Sequence, residues 1–365
     1  MTEVEDENYR KLGFPYLKRA FTKPSDIFST LLLLGPDIIK SAVAQQSGIK
    51  LGICALPISF SFGCVSYSLL LLTSVIGDQK LMPASPDFPC VVINSQSGHS
   101  RNNSSWILGR LMRDFPDWMD ESMKLWANTP TLCVGIYEPK AEPNQGMPVP
   151  DWIAFSGLVA IVCQLLLTVG PILLYSDWTV LLITVMGNLL VWLTILLPAW
   201  SNEKWVCRKN TTQSFIITRG NGGQHAIVIL GNGKGLNLED LASAHKPVGS
   251  KTRWSVFLLA LLQVVLLVMC ASANEGNGSR FLLAIGAVGM GQNILVAAYP
   301  RDPSALGIHL EYKAHFVKEN TFATILEVEK NYPGIGNTMV STFFPSGLRD
   351  ESEAQLREVQ DSRNG

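Results

Sequence analysis

Residues 152–175 read WIAFSGLVAIVCQLLLTVGPILLY, and after Ser176 and Asp177 the chain continues over 178–200 as WTVLLITVMGNLLVWLTILLPAW. Neither run contains Asp, Glu, Lys or Arg. The hydrocarbon core of a bilayer is about 30 Å thick, so a helix rising about 1.5 Å per residue needs about 20 apolar residues to cross it. Both runs meet that length, and the two-residue gap between them predicts a tight transmembrane hairpin.

Three further windows, 52–77, 254–273 and 281–299, also lack charged residues, although charged residues make up 16% of the chain. Buried helices of soluble proteins mostly run about 8 to 20 residues and keep some polar positions. The five uncharged windows therefore exclude an ordinary soluble globular protein, and they also exclude a disordered one. We predict an all-α membrane bundle of about five transmembrane helices, with a small β-hairpin-containing loop domain and extramembrane caps.

Aromatic residues mark the ends of these windows. Trp and Tyr favour the headgroup level of a bilayer, because each joins an apolar ring to a polar group. Residues 27–45 are also apolar in part, but they include Asp37 and Lys40. We interpret them as an interfacial or soluble helix-turn-helix within a non-spanning segment, 1–51. The aromatic residues at window edges are Trp152, Tyr175, Trp178, Trp200, Trp254 and Tyr299.

Three long segments lie outside the windows, namely 78–151, 201–253 and the tail 300–365. The second carries two β-branched runs, 214–218 and 225–230, separated by RGNGGQ. Gly and Asn supply the positive φ that a hairpin turn requires, so these runs predict a β-hairpin. Other apolar runs predict a strand at 90–93, a helix over 105–127, a short apolar element at 132–137, a helix at 238–242 and a helix around 322–328.

Basic residues next to the spans predict the orientation of the chain, because they favour the cytosolic side. The segment 201–253 carries eight Lys and Arg residues, whereas 274–280 carries only Arg280. We therefore place 201–253 in the cytosol, together with 78–151 and the tail. Five spans then put the N-terminus on the opposite side.

Four sequons favour the opposite orientation. Asn102, Asn103, Asn210 and Asn277 each fit the acceptor pattern for N-glycosylation, and the first two lie far from any window. If 78–151 is lumenal, these two residues can carry glycans. In that case Cys90 and Cys133, in the same segment, could form a disulfide, whereas in the cytosol both stay reduced.

The windows contain polar side chains but no ionisable Asp, Glu, Lys, Arg or His. This disfavours a transporter coupled to protons or ions, which needs a titratable group at mid-depth. The polar groups serve either as hydrogen-bonding groups between helices or as the lining of a pocket for a small hydrophobic ligand. Ala287 and Gly291 form a small-xxx-small pair, which favours close packing between helices. The candidate pocket residues are Gln164, Asn188, Gln263, Gln292 and Asn293.

Nothing in the sequence predicts a cofactor or a metal. No two of the five histidines stand at the i, i+4 spacing of a helical metal pair, and no phosphate-binding glycine motif is complete. A net charge of −1 gives no general attraction to nucleic acid. An acidic cluster lacks the DDxxD spacing, so we interpret it as a solvated face; its members are Asp114, Asp117, Asp120 and Glu121.

Five regions carry a resemblance to a known family: SFGCVSYS with the neighbouring GDQKLMP (61–83), VINSQSGHSRNNSSWILGRL (92–111), TRGNGGQH (218–225), GLNLEDLA (235–242), and LEVEKNYPGIG with TFFPSGLR (326–349). They resemble a group of multi-pass membrane proteins of filamentous ascomycete fungi, often encoded near secondary-metabolite gene clusters. The resemblance covers most of the chain from about residue 26. The family has no established reaction, so the resemblance implies no site residues.

The expected function follows from location and resemblance. We expect a multi-pass integral protein of an endomembrane such as the ER, or of the plasma membrane. Its expected role is accessory to a fungal secondary-metabolite pathway, holding a hydrophobic intermediate or organising membrane enzymes of that pathway. The alternative is a membrane-embedded cyclase or isomerase that acts on a prenylated or polyketide intermediate. An efflux transporter is disfavoured, because the chain has no internal repeat and no intramembrane charge.

Overall fold

The structure is a computed structural model and describes residues 35–52, 54–126, 131–243, 245–273 and 278–361. The chain forms two compact units. Much of the predicted N-terminal segment, and the sequon at Asn277, lie outside the described residues. The helical unit comprises the chain up to Leu81 with 150–200 and 247–299, and the α/β unit comprises 82–149, 201–246 and the chain from Pro300 onward.

Helices dominate the first unit and flank the sheet of the second. In the described residues they are, in chain order, α1 Pro36–Gln46, α2 Gly63–Gly77, α3 Trp106–Arg113, α4 Phe115–Trp118, α5 Glu121–Lys124, α6 Trp152–Tyr175, α7 Thr179–Leu196, α8 Ala199–Lys204, α9 Leu238–Ser243, α10 Ser250–Ala273, α11 Ser279–Ala298, α12 Thr321–Asn331, α13 Ile335–Phe343 and α14 Asp350–Asp361. A 3-10 helix covers Pro303–Leu306.

The strands lie mostly in the α/β unit. They are, in chain order, β1 Lys50–Leu51, β2 Cys54–Ala55, β3 Val91–Asn94, β4 Ser100–Asn102, β5 Cys133–Pro139, β6 Lys209–Thr211, β7 Phe215–Thr218, β8 His225–Ile229, β9 Gly235–Leu236 and β10 Leu310–Val317. β1 pairs with β2, and β6 pairs with β9, each as a two-stranded antiparallel ladder.

Four helices in the described part of the chain, α6, α7, α10 and α11, are long and apolar enough to cross a membrane. Their outward faces carry exposed aliphatic side chains, such as Leu166, Leu173 and Val268. A soluble protein rarely exposes so many aliphatic side chains, whereas lipid tails cover such a surface without cost. The helices predicted over 152–175, 178–200, 254–273 and 281–299 are therefore confirmed as candidate spans.

The continuous helix predicted over 52–77 is wrong. Only α2 is helical, and its 15 residues give a length of about 22 Å, short of the hydrocarbon thickness. Residues 56–61 form neither helix nor strand. Pro57 lacks a backbone N–H and disfavours a helical residue before it. The chain is also already extended where it enters this stretch, because β2 pairs with β1 and ends at Ala55.

Helix α1 belongs to the helical unit and packs against α2 and α11. Its apolar face, with Ile39, Ala42 and Val43, is completely buried, and Asp37 points to the outside. The described part of the predicted interfacial segment is therefore one packed helix, which begins at Pro36 in the favoured first position of a helix.

The α/β unit contains a six-stranded sheet, so the all-α prediction is wrong for this unit, whereas the helical unit is mainly helical. The strand order is β10-β5-β8-β7-β3-β4; β5 and β8 are parallel, and every other neighbouring pair is antiparallel. The predicted hairpin is confirmed as β7 and β8, which occupy the middle of the sheet. The predicted strand at 90–93 corresponds to β3, and the short apolar element at 132–137 forms β5.

Both faces of this sheet are covered by helices. Alternate residues of a strand point to opposite faces. On one face Val92, Ile217 and Ile227 pack in a core with residues of α3, α4 and α9. On the other, Ile93, Ile216 and Val228 pack with residues of α12 and α13. This explains why β7 and β8 read as continuous apolar runs rather than as alternating ones.

The conditional disulfide between Cys90 and Cys133 does not form, and both thiols are free and buried. Cys133 begins β5, and Cys90 directly precedes β3; β8 and β7 lie between these strands. Three strand spacings amount to about 14 Å, whereas a disulfide needs Cα atoms within about 7 Å. Burial raises the pKa of Cys90 to about 12 and that of Cys133 to about 11.

The non-helical segment 56–62 passes close to glycines on the long helices of its unit. A Cβ atom placed on Gly289 of α11 would lie 1.8 Å from the carbonyl oxygen of Phe60. A Cβ atom on Gly157 of α6 would lie 2.0 Å from the carbonyl oxygen of Pro57. A side chain at either position would collide with the carbonyl oxygen. Glycine therefore allows the backbone of the segment 56–62 to contact α6 and α11 directly.

Glycines also receive the two phenylalanine rings of the segment. A Cβ atom on Gly187 of α7 would lie 2.6 Å from the Phe60 ring, and one on Gly286 of α11 would lie 2.3 Å from the Phe62 ring. The two rings pack edge to face with centroids 5.8 Å apart. The helices therefore pack around the segment rather than only against one another.

The small-residue pair predicted from spacing in α11 is wrong. Ala287 and Gly291 lie on the exposed face of the helix, and nothing lies within 4 Å of a Cβ atom placed on Gly291. The glycines that permit close packing in this helix are Gly286 and Gly289. The small-xxx-small pattern occurs by chance, and here the three-residue spacing marks the packed face.

Replacing Gly289 by Ala is expected to destabilise the helical unit by ~1–3 kcal/mol, because the added methyl group collides with the Phe60 carbonyl oxygen. The matched control is Gly291→Ala in the same helix, where the methyl group meets nothing and helix propensity favours Ala. The measurement is the thermal unfolding midpoint of each purified variant in detergent. Equal midpoints for the two variants would show that the segment does not pack on Gly289.

Candidate functional site

Four of the five polar residues predicted to line an intramembrane pocket converge on residues 59–61. Gln292 Oε1 accepts hydrogen bonds from the backbone N–H and the hydroxyl of Ser59, each at 3.0 Å. Asn188 Oδ1 accepts the N–H of Phe60 at 2.9 Å. Side-chain amides thus replace the partners that a helix would have supplied to these backbone groups.

The carbonyl groups of the same segment are bound by the remaining amides. Gln164 Nε2 donates to Phe60 O at 2.7 Å, and its Oε1 accepts from Asn188 Nδ2 at 3.0 Å. Asn293 Nδ2 donates to Ser59 O and to Ser61 Oγ, both at 3.2 Å. The network therefore joins α6, α7 and α11 through one short stretch of backbone.

Gln263, the fifth predicted residue, is not part of this network. It is buried on α10, which packs against α2 and α7. The four clustered amides bind protein backbone, and the segment occupies the space between their helices. Of the two roles considered for these amides, hydrogen bonding within the protein is the one that the contacts show for Gln164, Asn188, Gln292 and Asn293.

The described sequons differ in accessibility. Asn102 in β4 and Asn210 in β6 are exposed. Asn103 is buried, with its Oδ1 accepting from Ser105 N at 2.8 Å and its Nδ2 donating to Ser105 O at 2.9 Å. In the folded protein Asn103 therefore holds the turn before α3, and Asn102 and Asn210 present their side chains to solvent.

The interpretation of the acidic cluster as a solvated face is wrong for Asp114. This carboxylate is buried and accepts hydrogen bonds from Arg110 Nε at 3.2 Å and from Arg113 Nε at 2.8 Å. Both arginines also bind Asp87. Asp117 and Glu121 are exposed as predicted. A spacing pattern cannot show that an arginine on the same helix will face a carboxylate in the core.

A groove on one face of the α/β unit is a candidate site that combines aromatic rings with polar side chains. Its volume is about 390 Å³, within the range of small-molecule sites. Three aromatic rings follow one another along it: Trp118 and Tyr137 have centroids 5.2 Å apart, and Tyr137 and Tyr312 5.9 Å apart, both edge to face. The groove is lined by Trp118, Asp120, Tyr137, Lys140, Glu142, Pro143, Val149, Asp302, Pro303, Ser304, His309, Leu310 and Tyr312.

The fold fixes the orientation of these rings. Trp118 ends α4, and its Nε1 donates to Leu111 O at 3.1 Å. Tyr137 and Tyr312 are directly opposite each other on β5 and β10. Because paired residues of an antiparallel ladder share a face, their side chains stand together. Phe115 packs edge to face on both Trp118 and Tyr137 from the core side.

One end of the groove carries a hydrogen-bonded chain of polar side chains. Ser122 Oγ donates to Asp120 Oδ1 at 2.6 Å, as part of the N-cap of α5. Tyr312 Oη lies 3.2 Å from Ser122 Oγ and 2.5 Å from His315 Nδ1. The hydroxyls and the imidazole can pass a proton along this chain, so the arrangement is suited to general acid–base chemistry.

Sequence patterns indicate little of this groove. Its residues come from α4, the start of α5, β5, the turn after β5, the 3-10 helix and β10, and they are adjacent only after the sheet has formed. β10 was not predicted at all. Its sequence, LEYKAHFV, does place Tyr312 on one face of an alternating strand, and this alternation is the signal that could have found it.

In the part of the chain that the structure describes, no three His, Cys, Asp or Glu side chains come together to hold a metal ion. No family of known proteins, no curated protein and no solved structure shows a match to this chain. The groove and the amide network are therefore the features of this chain that bear on its function.

Replacing Gln164 by Leu is expected to lower the stability of the helical unit by ~1–3 kcal/mol, because Phe60 O then lies buried without its donor. The matched control is Gln263→Leu, a second buried amide in a long helix. Gln263 Oε1 makes no hydrogen bond to the described residues, so its removal leaves no backbone group unsatisfied. Thermal unfolding in detergent checks both variants, and a control that loses as much stability as Gln164→Leu would contradict the assigned role.

Proposed function

We propose that this chain is a polytopic membrane protein that binds a small hydrophobic molecule in the groove of its α/β unit. The observation that supports the proposal is the row of three aromatic rings, Trp118, Tyr137 and Tyr312, beside a few polar groups. Small-molecule sites characteristically combine apolar walls with a small number of placed polar groups. The resemblance to fungal proteins encoded near secondary-metabolite clusters supports a pathway intermediate as the ligand and an accessory role in that pathway.

The location proposed is an endomembrane such as the ER, or the plasma membrane. The four long helices follow one another in two pairs, α6 with α7 and α10 with α11, and two consecutive crossings return the chain to the side from which it started. This agrees with a single sheet built from 82–149, 201–246 and the tail. We propose that the fifth crossing is made by residues 56–62 and α2 together, because extended residues each rise about 3.3 Å.

A second candidate function is a cyclase or isomerase, and the contact between Tyr312 and His315 favours it. A phenol 2.5 Å from an imidazole nitrogen can give up its proton to that nitrogen while the phenolic oxygen takes one from a bound ligand. The protein would then convert the molecule that it holds. Conversion of an intermediate by the intact protein and not by His315→Ala would distinguish the enzyme from the binding protein.

The binding proposal is tested with benzyl alcohol, a neutral and water-soluble aromatic probe, on the full chain in lipid nanodiscs. We expect saturation-transfer NMR to detect binding above that of empty nanodiscs. The signal is expected to fall at least several-fold in Trp118→Ala with Tyr312→Ala, which removes two of the three rings. A matched control is Phe322→Ala, which removes a ring that packs on Phe344 outside the groove. An unchanged signal in the double variant would contradict the proposal.

The single sheet makes the orientation testable through the sequons. Asn102 and Asn210 belong to the α/β unit, whereas the segment 274–280 with Asn277 is predicted to lie on the opposite side of the membrane. We expect a cytosolic α/β unit, so Asn102→Gln and Asn210→Gln leave the response of the gel mobility to deglycosylation unchanged. A shift that is abolished by Asn102→Gln or Asn210→Gln would reverse the proposed orientation.

A further inference from the structure

The groove has an excess of negative charge. Three of its lining side chains are carboxylates, Asp120, Glu142 and Asp302, and one is an ammonium, Lys140. His309 also lines the groove, but burial lowers its pKa below the ordinary value, so it adds no positive charge at neutral pH. The chain as a whole is nearly neutral, so the charge of the groove is a local feature.

The carboxylate next to the aromatic rings is held in its charged form. The Ser122 hydroxyl and the Ser122 N–H both donate to Asp120, at 2.6 Å and 3.0 Å, and keep the pKa of this carboxyl below its usual range. Because the same bonds cap α5, the carboxylate has a fixed position beside Tyr312. A charge fixed in advance binds an opposite charge with less ordering cost.

Aromatic rings lie beside the carboxylates of the groove. Trp118, Tyr137 and Tyr312 pack edge to face, with ring planes inclined by 61° between Trp118 and Tyr137 and by 64° between Tyr137 and Tyr312. Tyr137 is only 3% exposed, whereas Trp118 and Tyr312 are half-buried, so a ligand in the groove meets mainly the rings of Trp118 and Tyr312. The π-faces of Trp and Tyr attract cations, with Trp the most effective, and quaternary ammonium groups are recognised in this way.

We propose that the ligand of the groove is an organic cation, a protonated or quaternary amine attached to an apolar body. This inference rests on the proposed binding function and specifies its ligand. The ammonium group would lie against the rings within reach of the carboxylates, and the apolar body would occupy the rest of the groove. A carboxylated or phosphorylated ligand would meet three like charges and is excluded by repulsion.

The test compares three probes of similar size on the full chain in nanodiscs: benzyltrimethylammonium, benzyl alcohol and benzoate. We expect the cation to bind at least tenfold more tightly than the alcohol and benzoate not to bind. Raising the salt concentration should weaken only the binding of the cation, because the carboxylates on the rim are accessible to counterions.

Two charge-neutralising variants locate the effect. Glu142→Gln with Asp302→Asn changes exposed side chains, so the fold is retained, and the ratio of cation affinity to benzyl alcohol affinity is expected to fall several-fold. The matched control is Glu138→Gln: Glu138 follows Tyr137 on β5, faces the other side of the sheet and pairs with Lys313 at 3.3 Å. It should leave the binding of both probes unchanged.

The outcomes separate the two proposals. If benzyl alcohol binds as tightly as the cation, the inference is wrong, and the groove remains a binding site for neutral molecules. If benzoate binds best, the inference is likewise wrong. If none of the three probes binds, both the inference and the proposed function fail.

Discussion

A short stretch of backbone without a helix, buried among long apolar helices, is the constraint on which the helical unit depends. In such surroundings each N–H and C=O group needs a partner from the protein, because hydrocarbon offers none. Gln164, Asn188, Gln292 and Asn293 supply these partners to residues 59–61. Glycines on the same helices allow the close approach that the hydrogen bonds require. The presence of these four amides in the long helices is thereby explained without a transport mechanism.

The sequence predicts the four long helices well and the non-helical segment poorly. Length and absence of charge decide where an apolar helix can cross, and both quantities are local. The window 52–77 is also long enough to cross and also lacks charged residues, so it is read as one more span. This window differs from the four helical ones because it contains Pro57 and because amides on three other helices bind its backbone. No pattern within the window reveals those partners.

The α/β unit shows the same division between local and distant information. RGNGGQ predicts the hairpin of β7 and β8, because the turn residues are adjacent to the strands that they join. The position of that hairpin in the middle of a six-stranded sheet depends on strands from two other segments. The groove is hard to predict for the same reason. Trp118, Tyr137 and Tyr312 come from different elements, and the two tyrosines meet only because β5 pairs with β10.

The pairing of β5 with β10 also determines when the protein can be complete during synthesis. β5 is made before all four long helices, and β10 follows the last of them. Until β10 has been synthesised, one edge of β5 has unpaired backbone groups. Strands of other chains can pair with such an edge, which promotes aggregation. A ribosome that stops before Leu310 would release a chain with its helices made and its sheet open. The six-stranded sheet can therefore be complete only after all four long helices have been made.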